Sequence, residues 1–127
     1  MIAAIRLRGE VKTPEKIKDT LEMLKMKNVY NCRILPDNKN YKGMLRKAEG
    51  YITWGEINEK TLKKLLEKKG NEENKEIEEI KEEGMEKTFK LHPPKGGFKG
   101  SKKKPYNKKG ELGYRGEEIN KLIEKMI

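Results

Sequence analysis

Residues 91–115 constrain the fold of this chain more than any other segment, because their sequence, LHPPKGGFKGSKKKPYNKKGELGYR, follows neither a helical nor a strand period. The segment contains five glycines, and its first two prolines are adjacent. The segment contains few apolar side chains. Burying so little apolar surface cannot offset the conformational entropy that the chain loses when it is fixed in one conformation. We therefore expect this segment to be an arm that lies along a partner instead of forming a hydrophobic core.

The charge of the arm indicates that its partner is a polyanion. Residues 87–115 carry ten basic side chains and one acidic side chain, a density typical of phosphate contact. Aromatic rings among the lysines suit stacking on RNA bases or riboses. These aromatic residues are Phe98, Tyr106 and Tyr114. The alternative is a disordered solubilising tail, but such tails seldom contain specific proline and glycine motifs like the PP, GGF and GYRG motifs found here.

Single residues of the arm have expected roles in RNA contact. Gly96 and Gly97 let the backbone turn and approach RNA closely, with Lys95 and Lys99 on phosphates. The GGFKG motif lacks the GxxxxGK[ST] spacing of a nucleotide-binding loop. His92 is interpreted as a contact residue. The other basic residues predicted to contact RNA are Lys102, Lys103, Lys104, Lys108, Lys109 and Arg115.

The net charge of +10 at pH 7 conceals three segments of different sign. Residues 1–70, the predicted core domain, carry 17 basic and 9 acidic side chains. Residues 71–86 form an acidic insert with 2 basic and 8 acidic side chains, and residues 87–127 form a basic extension with 12 and 4. Because the insert would repel RNA, we expect it to project toward solvent or to neutralise its basic neighbours.

The sequence also predicts the compartment. No apolar run is long enough to span a membrane, and no strongly amphipathic basic helix indicates a membrane surface as partner. The apolar stretch at the N-terminus, MIAAIRLRGE, is too short for a signal peptide, and charged residues follow it too early. The single cysteine, Cys32, excludes an intramolecular disulfide and fits a reducing compartment. We therefore expect a cytoplasmic protein.

Hydrophobic periodicity predicts an α+β domain in residues 1–70. Alternation predicts strands over residues 2–8, 29–35 and 51–54. In the first strand, Ala3, Ile5 and Leu7 share the core face, which leaves Arg6 and Arg8 on an open face. Helices are predicted from Thr13 as N-cap to about Met26, around Met44 and Leu45, and from Asn58 as N-cap to Gly70.

The rest of the chain predicts shorter elements. Ile77 and Ile80 indicate at most a weak helix in the acidic insert, and residues 88–91 are predicted to pair as a short strand. The apolar residues of the last segment recur at helical spacing. They are Ile119, Leu122, Ile123 and Met126. We expect this terminal helix to dock back on the domain.

Residues for catalysis are missing. His92 is the only histidine, so general acid–base chemistry would rest on it alone or on carboxylates. Cys32 lies on a strand face with no histidine near it in sequence, and is better interpreted as a small core residue than as a nucleophile. One cysteine and one histidine cannot complete a tetrahedral zinc site. We predict a protein that is not an enzyme and that has no metal, cofactor or small-molecule substrate.

Several residues of the core domain are candidates for RNA contact. The basic ones cluster on strand faces and in the turn at residues 41–50. Because of this clustering, RNA contact and ordinary exposure to solvent are about equally good interpretations of these side chains. They are Arg6, Arg8, Arg33, Lys42, Arg46 and Lys47. For Trp54, the only tryptophan, a place in the core is favoured over base stacking.

These motifs together resemble the archaeal and eukaryotic type of the large-subunit ribosomal protein L-thirty family. The resemblance rests on TPEKIKDTLEML at residues 13–24, NCRILPDN at 31–38, YKGMLRKAEGYITWGEI at 41–57 and KLHPPKGGFKGSKKKPYNKKGELGYRGEEINKLI at 90–123. It covers nearly the whole chain. Relatives carry a longer helical insertion where this chain has the short glutamate-rich segment between Gly70 and Glu86.

The resemblance implies a small β-α-β-α-β domain with a three-stranded antiparallel sheet, similar to a ferredoxin-like fold, followed by a basic arm and a terminal helix. It implies binding to large-subunit ribosomal RNA beside neighbouring ribosomal proteins, without enzymatic activity. The RNA-facing residues that it implies are Arg6, Arg8, Tyr41, Lys42, Arg46, Lys47, Trp54 and residues 95–115.

The leading hypothesis is a structural constituent of the large ribosomal subunit that supports subunit assembly and translation. A free-standing RNA-binding regulator or ribosome assembly factor would use the same basic surface transiently and is the alternative. A small nuclease would need a metal or an acid–base cluster that the sequence does not contain.

Overall fold

The computed structural model describes residues 1–9, 13–70, 76–98, 100–108 and 110–127, with the backbone alone at residues 101–103. Six strands are β1 (Ile2–Arg6), β2 (Asn31–Leu35), β3 (Ile52–Glu56), β4 (Phe89–Lys90), β5 (Ser101–Pro105) and β6 (Gly110–Tyr114). The α-helices of the described residues are α1 (Glu15–Met23), α2 (Lys39–Lys47), α3 (Glu59–Lys69), α4 (Ile77–Glu83) and α5 (Ile119–Met126). Short 3-10 turns lie at Tyr106–Lys108 and Gly116–Glu118.

The strands form one mixed sheet in the order β4-β2-β1-β3-β6-β5. β1 lies antiparallel to both neighbours, with Ile5 opposite Cys32 of β2 and Thr53 of β3. β4 extends the sheet antiparallel to β2, and β6 lies parallel to β3, with Trp54 opposite Tyr114. The α+β prediction is confirmed, but the prediction of a three-stranded antiparallel sheet was wrong. The unpaired backbone groups at the edges of β2 and β3 are satisfied by strands from the segment after the acidic insert. The expectation that residues 91–115 take no part in a hydrophobic core was therefore wrong, because β5 and β6 join the sheet and Leu91 and Leu112 are buried in the core.

Helix starts follow local capping chemistry. The side chain of Asn38 accepts a hydrogen bond from the amide of Tyr41 at 2.9 Å, and that of Asn58 accepts one from the amide of Thr61 at 2.8 Å. The predicted cap at Asn58 is therefore confirmed. At α1 the cap position is Pro14, not Thr13, and the hydroxyl of Thr13 instead donates to the carbonyl of Gly9.

Helices cover both faces of the sheet and form two cores. On one face Ala3 and Ile5 pack with side chains of α3, α4 and α5. On the other face Ile2 and Ala4 pack with side chains of α1 and α2. β1 is buried along its whole length, so the expected open face of this strand does not exist. The alternation of the sequence was correct, but a small sheet with helices on both sides leaves no solvated face at its centre.

The described part of the acidic insert is docked on the domain and does not project away from it, whereas the ion pair of Glu86 with Lys25 at 3.5 Å fits the alternative that the insert neutralises basic neighbours. Ile80 of α4 and Met85 after it are buried in the same core as Ile5. The glutamates of α4 are exposed, and the ammonium of Lys81 pairs with the carboxylate of Glu59 on α3. Ile77 and Ile80 of this seven-residue helix, together with Met85 after it, pack against the core, while the other side of the helix faces water.

The terminal helix α5 is confirmed as predicted and fixes the end of the arm. Its four apolar side chains are buried, and each such burial contributes about 1.5–3 kcal/mol before the entropy of ordering is subtracted. Just before α5, the backbone passes close to β3. A Cβ at Gly55 would overlap the carbonyl of Gly116, so glycine is required at that crossing. The amide of Arg115 donates to the carbonyl of Trp54 at 2.9 Å.

Candidate nucleic-acid interface

Two adjoining clefts lie beside the face of the sheet that carries α2. The first has a volume of about 610 Å³, and its lining residues come from the chain just after β1 and just after α2, from the end of β5 and the 3-10 turn after it, and from β6. They are Arg8, Glu49, Gly50, Pro105, Tyr106, Asn107, Lys108, Leu112, Gly113 and Tyr114. The second has a volume of about 400 Å³ and is lined by Ile2, Lys42, Arg46, Glu49, Trp54, Glu56 and Tyr114. Because Glu49 and Tyr114 belong to both, we name the two clefts together the Tyr114 groove.

The groove brings together residues that the sequence analysis proposed separately. Seven predicted site residues line it, although they come from α2, β3, β6, the 3-10 turn after β5 and the chain just after β1. They are Arg8, Lys42, Arg46, Trp54, Tyr106, Lys108 and Tyr114. Tyr41, half-buried, and Lys47, exposed, lie on the same helix as Lys42 and Arg46.

Tyr114 projects from the end of β6 with more than half of its surface exposed. Its hydroxyl donates to the carboxylate of Glu56, 2.7 Å from each oxygen. This hydrogen bond raises the pKa of Tyr114 above its usual value, because ionising the phenol would place two anions side by side. The ring is tilted against that of Trp54, with 6.2 Å between centroids. The hydrogen bond of the hydroxyl to Glu56 and the contact of the ring with Trp54 therefore hold the tyrosine side chain in place.

Trp54 itself belongs to the core beside α1 and α2 and is 6% exposed. The interpretation of this residue as a core aromatic is confirmed for most of its surface. Its remaining surface lines the second cleft next to Tyr114. The indole therefore supports the groove mainly by packing beneath the tyrosine ring.

Cations stand at intervals along the groove. The guanidinium of Arg8 donates to the carbonyl of Gly50 at 3.1 Å and lies 4.9 Å from the centre of the Tyr51 ring. The ammonium of Lys42 lies 2.7 Å from the carboxylate of Asp37, and this hydrogen bond lowers the pKa of Asp37. Arg46 is exposed in the last turn of α2, where a positive side chain is favoured by the helix dipole.

Three predicted arginines have structural partners instead of a place on the surface. Arg6 donates to the carbonyls of Met26 and Lys27 at 2.9 and 2.7 Å, which ties β1 to the chain after α1. Arg33 donates to the carbonyls of Leu24 and Met85, both at 2.7 Å. Both side chains are buried. Their assignment as RNA contacts stays a prediction, and neither residue lines the Tyr114 groove.

Arg115 is the third buried arginine. It donates to the hydroxyl of Thr53 at 2.7 Å and pairs with the carboxylate of Glu111 at 2.8 Å. Glu111 also accepts from the amide of Gly100 at 2.9 Å. The guanidinium lies 4.8 Å from the centre of the Tyr106 ring. Arg115 therefore joins β3, β6 and the 3-10 turn behind the groove.

Other predicted residues lie elsewhere or outside the described part. His92 and Lys95 are exposed near the end of α5, where their amides donate to the carbonyls of Met126 and Lys125. Phe98 is half-buried and stacks on Tyr30, with 6.4 Å between centroids. Lys104 is exposed. Lys99 and Lys109, and the side chains of Lys102 and Lys103, lie outside the described residues.

Sequence reasoning missed the polar partners of the groove. Glu49, Glu56 and Asn107 line it, and Tyr51 supports Arg8. Glu56 stands in the TWGE motif, and this context was the one signal that could have identified it. Nothing in the local sequence indicates that its carboxylate meets a tyrosine 58 residues further along the chain.

The chemistry of the cysteine agrees with a core position. Cys32 is completely buried, and burial raises the pKa of its thiol to about 12, so it is protonated at neutral pH. Within the described ranges, no three His, Cys, Asp or Glu side chains are grouped so that they could hold a metal ion. No helix among the described residues is long and apolar enough to cross a membrane.

Comparison with known proteins places the chain in a family. A family model described as ribosomal protein L30p/L7e matches residues 2–52. The chain is 39% identical to the large ribosomal subunit protein uL30 of Sulfolobus acidocaldarius and 41% identical to that of Sulfurisphaera tokodaii. Both alignments cover 100% of this chain and 98% of the relative. They confirm the resemblance found in the motifs and the prediction of a ribosomal protein that is not an enzyme. The chain therefore belongs to the ribosomal protein L30p/L7e family.

Proposed function

We propose that this protein is a structural constituent of the large ribosomal subunit and binds its ribosomal RNA through the Tyr114 groove and the basic arm. The observation that carries the proposal is the convergence of seven separately proposed RNA-binding residues on one groove. Neighbouring ribosomal proteins are further partners. In this role the protein supports assembly of the subunit and translation.

The charges of the groove support RNA as the ligand. Lys42 and Arg46, one turn apart on α2, line the second cleft, and Lys108, in the 3-10 turn after β5, lines the first. Cations in both clefts of an open groove match a backbone with a phosphate at each nucleotide. The exposed tyrosine rings offer surfaces for bases or riboses, which a site for free phosphate does not need.

The arm supplies a second contact with the same RNA. Lys95, Lys104 and Lys108 are exposed along it. The amides of His92 and Lys95 tie the start of the arm to the end of α5, and Arg115 ties its end to Thr53 of β3. We propose that the lysines between Lys95 and Lys109 neutralise phosphates between neighbouring RNA helices. Release of counterions from those phosphates provides much of the binding free energy.

Salt dependence of RNA binding tests this proposal. The variant Arg46→Gln/Lys108→Gln removes one cation from each of the two clefts. Each phosphate contact contributes about 0.7–0.9 to the slope of log affinity against log salt. For binding to a transcript of the large-subunit ribosomal RNA, we therefore expect the slope to become less steep by about 1.4–1.8.

The matched control is Lys60→Gln/Lys63→Gln, which removes the same charge from exposed positions of α3 on the opposite face of the sheet. It should leave the slope nearly unchanged. Equal changes in the two variants would mean that only net charge matters, and the groove would not be the RNA site. Thermal unfolding of both variants checks that they are folded.

A further inference from the structure

We propose that the first cleft of the Tyr114 groove receives one unpaired nucleotide, whose base stacks on Tyr106 and Tyr114. This inference rests on the proposed function and specifies the RNA: a strand with an unstacked base, such as a bulge or loop, and not a uniform duplex. A uniform A-form helix offers phosphates and 2′-hydroxyls but no free face of a base.

Tyr114 is prepared for stacking before RNA arrives. Its side chain is 55% exposed, yet its hydroxyl is fixed by Glu56 at 2.7 Å and its ring is supported by Trp54. An exposed side chain that is already held in place loses little conformational freedom on binding. A tyrosine that served only to keep the protein soluble would not need its hydroxyl and its ring to be held in place.

Tyr106 is held in a different way. Its side chain is 38% exposed and lines both the first cleft and a separate cleft that contains Arg115. The guanidinium of Arg115 lies 4.8 Å from the ring centre and is fixed by Glu111 and Thr53. Arg115 thus occupies one side of the ring, and the other side is left to the first cleft. A cation held against one face of a ring fixes the ring for stacking on the other face.

Acidic and amide side chains mark where the base lies within an otherwise basic groove. Glu49 lines the first cleft, and Glu56 lies beside it in the second cleft. Both are exposed, and their carboxylates would repel a phosphate. Carboxylates accept hydrogen bonds from the amino groups of bases and from 2′-hydroxyls. Asn107 lines the same cleft as Tyr106 and Tyr114, and its amide can both donate to and accept from a base edge. Phosphates are then contacted at the rim, by Arg8 and Lys108.

The size of the cleft suits one nucleotide. Its volume of about 610 Å³ lies inside the range of roughly 300–1,000 Å³ in which proteins bind small organic ligands. Two exposed rings, the carboxylate of Glu49 and the amide of Asn107 around such a space provide stacking and edge recognition together. In this proposal the basic side chains of the cleft contact phosphates, and the rings with Glu49 and Asn107 contact the base.

The test combines a footprint with a change in the RNA. Hydroxyl-radical cleavage of a large-subunit ribosomal RNA transcript locates the segment that the full-length protein protects. Each unpaired nucleotide in that segment is then paired by inserting its complement in the opposite strand, and the dissociation constant is measured for wild type, Tyr114→Ala and Tyr114→Phe. Met23→Ala, at an exposed methionine of α1, is the control.

We expect one such insertion to weaken binding of the wild type by about 5- to 150-fold, the range for loss of one stacked base. Tyr114→Phe and Met23→Ala should show the same loss. Tyr114→Ala should bind the original RNA more weakly and lose little more on insertion. A footprint without unpaired nucleotides, or insertions that affect wild type and Tyr114→Ala equally, overturns the inference while the proposed function stands. Absence of any footprint overturns both.

Discussion

The buried pair of Arg115 and Glu111 connects β3, β6 and the Tyr106 ring behind the Tyr114 groove. The two side chains are 5% and 10% exposed, so water does little to screen them. Arg115 also holds the hydroxyl of Thr53, and Glu111 holds the amide of Gly100. Replacing Arg115 by methionine keeps much of the apolar stem but leaves the carboxylate of Glu111 buried without its cation.

The expected cost of Arg115→Met is therefore about 3–5 kcal/mol of unfolding free energy, the usual effect of breaking a buried ion pair by removing one partner. In the double variant Glu111→Gln/Arg115→Met, no charge is left unpaired, and the glutamine carbonyl can still accept from Gly100. We expect the double variant to lose only about 1–2 kcal/mol. It should be more stable than the single variant.

Urea unfolding followed by far-UV circular dichroism measures these differences, provided that the denaturant slopes agree. Arg8→Met is the control, because Arg8 is partly exposed and should cost at most about 1 kcal/mol. If Arg115→Met costs no more than Arg8→Met, or if the double variant is the least stable of the three, the pair does not hold β3 and β6 together as argued.

Three further changes have expected results. Gly55→Ala should destabilise the protein by about 1–3 kcal/mol or more, because its Cβ would overlap the carbonyl of Gly116, as thermal unfolding would show. Gly43→Ala, on α2 with no atom within 4 Å of its Cβ, should stabilise the free protein by about 0.5–1 kcal/mol in the same assay; a loss of stability there would refute the helix-propensity argument. Replacing the three lysines at 102–104 by glutamine should flatten the salt dependence of RNA binding by about 0.7–0.9 per phosphate contacted, and an unchanged slope would mean that this run is only solvated.

Local patterns predicted much of the fold. Alternation of apolar and polar residues located β1, β2 and β3, and the Asn58 cap located α3. The four apolar residues at helical spacing located α5. The short strand predicted at residues 88–91 is confirmed as β4, which pairs with β2. The strands β5 and β6 were not predicted, because they lie in a segment rich in lysine and glycine and their pairing depends on free edges contributed by distant parts of the chain.

The groove was predictable in its members but not in its geometry. Motifs and charge identified Arg46, Trp54 and Tyr114 before their convergence was known. The same reasoning could not distinguish a surface arginine from a buried one, because both carry the same charge in sequence. Arg33 is buried because its guanidinium meets the carbonyl of Met85, 52 residues away, and only the folded chain brings that carbonyl near.

The most direct test of the central claim is the behaviour of this chain in ribosomes from the cells that make it. A native lysate is sedimented through a sucrose gradient at high salt, and the chain is quantified beside the ribosomal RNA in each fraction. A structural constituent should sediment with the large subunit at about one copy per particle and resist the salt wash. Release to the top of the gradient, or presence only in precursor particles, would contradict the claim and indicate a regulator or an assembly factor.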